Sequence, residues 1–224
     1  MRKEVFEEGY YYHLYNRGVD HRTIFLDDRD RTRFINVLYV LNNYSDIPLR
    51  FDILSLKPRE HLIRIPPYVE IVAGCLMPNH YHLMLTPKRK NGVSDFMHKI
   101  GTSYVKYFNI KYERTGRLFE NSFRAKPVDR QEYAAYLTQY IHLNPVGLIQ
   151  AKLGSERHED VLREVENYPW STAPDYLGKK SNFSIAISDN FRKEVLDMDA
   201  KEYRAILRSL YDDAEKSDTE VMQA

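Results

Sequence analysis

The architecture of this chain turns on MPNHYHLML, residues 77–85. It continues the apolar run VEIVAGCL, residues 69–76, and Pro78-Asn79 between them is turn chemistry, so the two runs read as the antiparallel strands of a hairpin. Side chains alternate along a strand, which sends His80 and His82 to one face and Tyr81 and Leu83 to the other. Both strands read as buried, so the hairpin belongs at the centre of a sheet. Two imidazoles side by side in such a strand require a reason.

Outward from the hairpin, the aromatic run GYYYHLYNR, residues 9–17, reads as the strand that opens the sheet. Asp27 or Asp28 caps a helix to about Tyr44, with Phe34, Leu38 and Leu41 at helical spacing. Prolines break up residues 49–68, leaving FDILSL as a candidate short strand. Ser94 is placed to cap a long helix to about Tyr112, striped by Phe96, Ile100, Tyr104 and Phe108. Residues 123–128 suit a further strand. A last helix starts at Asp129 or Arg130 and ends at Asn144-Pro145. The result is a mixed α+β domain over residues 1–150. Residues 151–224 form an extension with an ordered loop at NYPWSTAPDYLG, charged helices over 191–211 and a disordered end.

Of the 224 residues 43% are hydrophobic, enough for a substantial core, while no apolar run approaches a membrane span and acids occupy the N-terminus where a signal peptide would be apolar. The expectation is an intracellular, cytoplasmic protein with no membrane partner. Cys75 has no partner in the chain and sits among apolar neighbours, as a small core residue does. The net charge of +1 conceals a basic middle, residues 88–130, offset by an acidic tail. Such a charge run fits a solvated face as well as an anionic partner.

An isolated His-x-His also fits two half-exposed histidines or a zinc site lacking its other ligands. The helix AYLTQYIHLNP adds to it, because Tyr140 and Asn144, four residues apart, share a helical face. Two imidazoles and one amide oxygen leave open positions on Mg²⁺ or Mn²⁺, where a phosphate oxygen could bind. A hydroxyl nucleophile nearby suits attack on a phosphodiester. His142 lies on another face of that helix and reads as an ordinary histidine; His13, in the first strand, reads as packing or catalytic.

Taken in order, YHLYNRGVDHRTIF, MPNHYHLML, YFNIKYERTGRLFENSF, YIHLNPV and YPWS resemble the single-tyrosine HUH transposases, in particular the REP-associated tyrosine transposases. The resemblance spans most of residues 10–176. It implies a ferredoxin-like antiparallel sheet flanked by helices, with His80, His82 and the more variable Asn144 as ligands of Mg²⁺ or Mn²⁺ and Tyr140 as nucleophile. It departs at Ser122 and Gly147, where the family commonly carries basic residues. The implied activity is cleavage and strand transfer on single-stranded DNA bearing a hairpin or inverted repeat, through a 5′-phosphotyrosine, with a homodimer as one possible assembly. Arg17, Lys106, Lys111, Arg117, Arg124 and Lys126 are the expected phosphate contacts, and Tyr104 is a base-stacking candidate for which core packing competes. Tyr133 and Tyr136 share a stripe with Tyr140, and Tyr136 is expected to pack against the sheet. The competing classes are a non-catalytic or domesticated binder of structured single strands and a metal-dependent hydrolase using water.

Overall fold

A computed structural model describes residues 5–45, 63–128, 131–154, 157–188 and 196–222. The candidate strand FDILSL and the first residues expected of the last helix of the domain, 129 and 130, lie outside them. The sheet contains β1 (Tyr11–Arg17), β4 (Val69–Met77), β5 (His80–Pro87) and β6 (Arg124–Val128) in the order β4-β5-β1-β6, and every pairing is antiparallel. A two-residue ladder, β2 (Tyr44–Ser45) with β3 (Ile63–Arg64), stands apart. Helix α1 (Asp28–Asn43) follows β1, α2 (Gly92–Lys111) follows β5, and α3 (Gln131–Leu143) follows β6. This is the ferredoxin-like α+β arrangement expected, with β4 and β5 joined at Pro78-Asn79.

Alternation sorts the sheet into two faces. Leu14, Tyr81, Leu83 and Leu85 face the core built with α1 and α2; Ala73, Cys75, Met77 and Met84 face Ala134, Leu137 and Ile141 of α3. In β4 the pairing jumps from Ile71↔Leu85 to Ala73↔Met84, a bulge that restores the alternation on both faces. Cys75 is fully buried, and burial pushes its thiol far above the ordinary range, as its apolar context implied.

Asp27 caps α1 through a capping box with Asp30. Helix α2 begins two residues before Ser94, at Gly92, with Asn91 as its left-handed N-cap residue (φ 60°). A Cβ on Gly92 would stand 2.2 Å from the Tyr68 carbonyl oxygen, so glycine is what lets the helix start there. The buried Asp30 carboxylate accepts from Lys111 Nζ at 2.7 Å, Tyr107 Oη at 2.9 Å and Tyr112 Oη at 2.8 Å, and Lys111 also reaches Asp27 at 2.8 Å. The start of α1 is thereby tied to the end of α2.

After α3 come α4 (Val146–Leu153), α5 (His158–Glu166), the single turn α6 (Ala173–Tyr176) and α7 (Ala200–Met222). The stretch expected as an ordered loop covers the outer edge of β4: Leu76 N donates to Trp170 O, Thr172 N to Gly74 O, Tyr168 Oη to Leu76 O and Tyr176 Oη to Val72 O. Phe183 packs over Gly74, where a Cβ would come within 2.8 Å of its ring. The C-terminal extension is therefore bound into the sheet, and its last helix spans Ala200–Met222.

Lys111, expected to contact phosphate, instead neutralises buried Asp30. Lys111→Ala should lower unfolding free energy in urea by about 3 kcal/mol, at the low end for breaking a buried pair because the lysine is partly exposed.

Candidate active site

The register of β1 on β5 sets Arg17 opposite His80, Tyr15 opposite His82 and His13 opposite Met84, while β6 sets Arg124 opposite Tyr15 and Lys126 opposite His13. Directly paired residues share a face. The two histidines therefore stand among Arg17, Tyr15, His13, Arg124 and Lys126, on the side covered by α3. Tyr140 of α3 brings its ring to 6.2 Å from His82, nearly perpendicular to it. Asn144, one residue past the helix end, donates its amide to the Tyr140 carbonyl at 2.9 Å.

The loop after β1 clasps the hairpin turn. Gly18 N donates to Asn79 O, and Ile24 N and Phe25 N donate to Pro78 O. A Cβ on Gly18 would lie 2.2 Å from the Arg22 carbonyl oxygen, which reserves the position for glycine. Asn79 Nδ2 donates to His21 O at 3.3 Å, which turns its Oδ1 towards His80 Nδ1, 2.7 Å away. An amide oxygen only accepts, so His80 carries its proton on Nδ1 and keeps a lone pair on Nε2. His82 Nδ1 meets His13 Nε2 at 2.8 Å.

Burial holds these imidazoles neutral. His82 is lowered to about 3, by burial first and then by His13 and His80; His13 is lowered to about 4, by burial and then by the Lys126 charge. His80 is also lowered by burial, against an opposing hydrogen bond to the Asn144 side chain, with Arg17 adding to the depression. Neutral imidazoles are the form that binds metal. The His80 and His82 rings stand 5.1 Å apart and perpendicular, able to approach one ion from two sides. Asn144 lies beside His80. Among the described residues no group of three His, Cys, Asp or Glu side chains is placed to hold a metal.

Beside His80 opens a cleft of about 360 Å³ lined by Tyr15, Asn16, Arg17, His21, Glu120 and Arg124, among others. Arg17 Nε pairs with Glu120 at 2.6 Å, and this contact draws the Glu120 carboxyl below its ordinary range. Arg124 and Lys126 are exposed on the same face.

Several expected contacts lie elsewhere. Tyr104 is fully buried in the α1–α2 core and donates to Ile24 O at 2.5 Å, so no base can reach it. Tyr107 and Tyr112 serve Asp30. Lys111 is held by Asp27 and Asp30, and Lys106, although exposed, is on α2 across the sheet from the histidines. Arg117 is exposed in the loop after α2, lining a separate groove with Phe119 and Phe123. Tyr136 does not pack against the sheet; it is half exposed. His13, read from the sequence as a packing or catalytic residue, meets a partner 69 positions away. His142, read as an ordinary histidine, is a core one: it is fully buried, with Nδ1 2.7 Å from Tyr203 Oη and Nε2 2.6 Å from Thr172 Oγ1. It locks α3, and so Tyr140, to α7 and to the segment over β4.

Residues 67–144, from just before β4 to Asn144, match the family of IS200-like transposases. The matched segment includes both histidines, Tyr140 and Asn144, and omits β1, α1 and everything after Asn144. Among solved structures, the chain is similar to a REP-associated tyrosine transposase bound to a REP hairpin, with 14% identity over 84% of this chain and 90% of that one, TM-score 0.49. It is also similar to a protein of Deinococcus radiodurans R1 classed as a transposase, with 20% identity over 63% of this chain and 95% of that one, TM-score 0.34. No curated protein matches the chain. No helix among the described residues is long and apolar enough to cross a membrane.

The depressed histidines give the fold a pH signature. Between about pH 6.5 and pH 4 the unfolded chain binds protons that native His13, His82 and His142 exclude, so stability falls as pH is lowered through that window and is complete above it. Urea midpoints measured across pH 4–7 should decline on acidification. In His142→Gln the decline should be shallower, since one of the three groups is gone.

Proposed function

We propose that this IS200-like transposase segment makes the chain a metal-dependent single-stranded DNA endonuclease and strand transferase acting on hairpin-bearing DNA, with Tyr140 as its nucleophile. The observation that carries the reading is the approach of Tyr140 to His82 within one chain, with Asn144 beside His80 and a cationic face around them. His80 Nε2, His82 Nε2 and the Asn144 amide oxygen would hold the ion. Mg²⁺ or Mn²⁺ bound there would take a phosphate oxygen and withdraw charge from phosphorus.

In the reaction, Tyr140 Oη bonds to phosphorus as the bond from phosphorus to the 3′ oxygen breaks. The electron pair leaves on that oxygen, which takes up a proton as the phenol gives one up. The strand is left with a free 3′-hydroxyl and a 5′-phosphotyrosine, and attack by another 3′-hydroxyl reverses the step without an energy source. Arg124 and Lys126 attract the phosphate backbone; Arg17 joins them when it exchanges Glu120 for phosphate. His13 orients His82: accepting the His82 Nδ1 proton on its own Nε2 leaves the His82 Nε2 lone pair directed at the ion, the usual arrangement for a ligating imidazole.

The test uses a 3′-labelled single strand carrying a foldback hairpin. Wild-type protein with Mn²⁺ should give a labelled covalent adduct on a denaturing gel, and chelation should abolish it. Tyr140→Phe and His80→Ala should give no adduct yet keep affinity within roughly twofold, because binding draws on many phosphate contacts and cleavage on one site. Tyr136→Phe should still form the adduct. An adduct that persists in Tyr140→Phe, or that forms at an unchanged rate in chelator, overturns the assignment; binding without an adduct in every protein identifies a non-catalytic binder.

A further inference from the structure

Two of the three tyrosines on the exposed stripe of α3 have no role in the chemistry above. Its buried side, Ala134, Leu137, Thr138 and Ile141, packs against the sheet, whereas Tyr133, Tyr136 and Tyr140, spaced by three and four, are 41%, 50% and 48% exposed. The Tyr133 and Tyr136 rings are nearly parallel, inclined by 26°, with centroids 6.2 Å apart. Two large aromatic rings held side by side in solvent are a costly surface for a helix that already has its core contacts. From Tyr140 the stripe recedes by about 10 Å along the helix axis to Tyr133, a nucleotide or two of extended strand.

We infer that Tyr133 and Tyr136 form a stacking surface for unpaired bases of the strand whose scissile phosphate lies at Tyr140, an inference that rests on the nuclease reading. Charge selects the occupant. The neighbouring strand β6 runs towards α3 and exposes Arg124 and Lys126 on the sheet face that carries the histidines. An exposed aromatic pair on the helix that follows this cationic strand suits a polyanion with free π-faces, which is single-stranded nucleic acid; a duplex hides those faces within its own stack. A second copy of this chain is a poorer occupant, since it would bring the same cations against themselves.

Stacking and charge contacts leave different traces in binding. Affinity for a single-stranded oligonucleotide, read by fluorescence anisotropy over a salt series, should fall roughly tenfold in Tyr136→Ala and further in the Tyr133→Ala, Tyr136→Ala double variant, with the salt slope unchanged. Tyr136→Trp should restore it. Lys126→Gln should instead flatten the slope by about one. A 2-aminopurine placed beside the scissile phosphate should be quenched by wild type and not by the double variant. If wild type binds and the double variant matches it in affinity and quenching, the stacking surface is wrong while the assignment of Tyr140 stands. If wild type binds no single strand, the nuclease reading fails and this inference with it. If the double variant alters self-association in sedimentation without DNA, the stripe's occupant is a second copy and the inference is overturned.

Discussion

The antiparallel register between β1 and β5 pairs Arg17 with His80 and Tyr15 with His82, and the rest of the site depends on it. Because strand side chains alternate with a period of two, a slip of one residue would send all of β1's site-facing residues to the opposite core. Leu14 and Tyr12 on the other face, buried against α1 and α2, make that slip prohibitive. The packing of one core therefore determines the chemistry on the opposite face of the sheet. The contact between His13 and His82 is a direct product of this register, as is the proximity of Arg17 to His80.

Once the faces are set, burial supplies the electrostatics. An imidazole out of water loses its affinity for protons, so His13 and His82 are neutral at any physiological pH, while Lys126 lowers His13 further and Arg17 lowers His80. The same cations that disfavour a charged histidine favour an incoming phosphate. The site thus combines neutral nitrogen donors with a positive rim, the two properties a metal-assisted reaction on DNA requires.

The position of Tyr140 depends on a second constraint, further along the chain. Helix α3 is held from behind by His142, whose two ring nitrogens are both engaged, one by α7 and one by the segment that covers β4. That segment also occupies the hydrogen-bonding edge of β4, which otherwise would offer an unpaired strand to any passing chain. Residues beyond the matched segment thereby hold both the helix that carries Tyr140 and the sheet beneath it.

The elements legible in the sequence were those governed by local chemistry. Turn residues marked the β4–β5 hairpin, alternation placed His80 beside His82, Asp27 marked the start of α1, and helical spacing joined Tyr140 to Asn144. Each of these rules acts over a few residues, so composition and order suffice to read them. The roles of the tyrosines and lysines were not legible in that way. Tyr104 and Lys111 were candidates for DNA contact until α1 and the loop before it brought Asp30 and Ile24 to them, and Tyr136, expected to pack against the sheet, is half exposed. His13 had no sign of its partner, and nothing in YPWST announced that it would complete a sheet edge and reach His142. These are contacts between residues far apart in the chain, made by amphipathic side chains whose polar and apolar parts suit either environment. Only the folded packing, by deciding which neighbour arrives, selects between them.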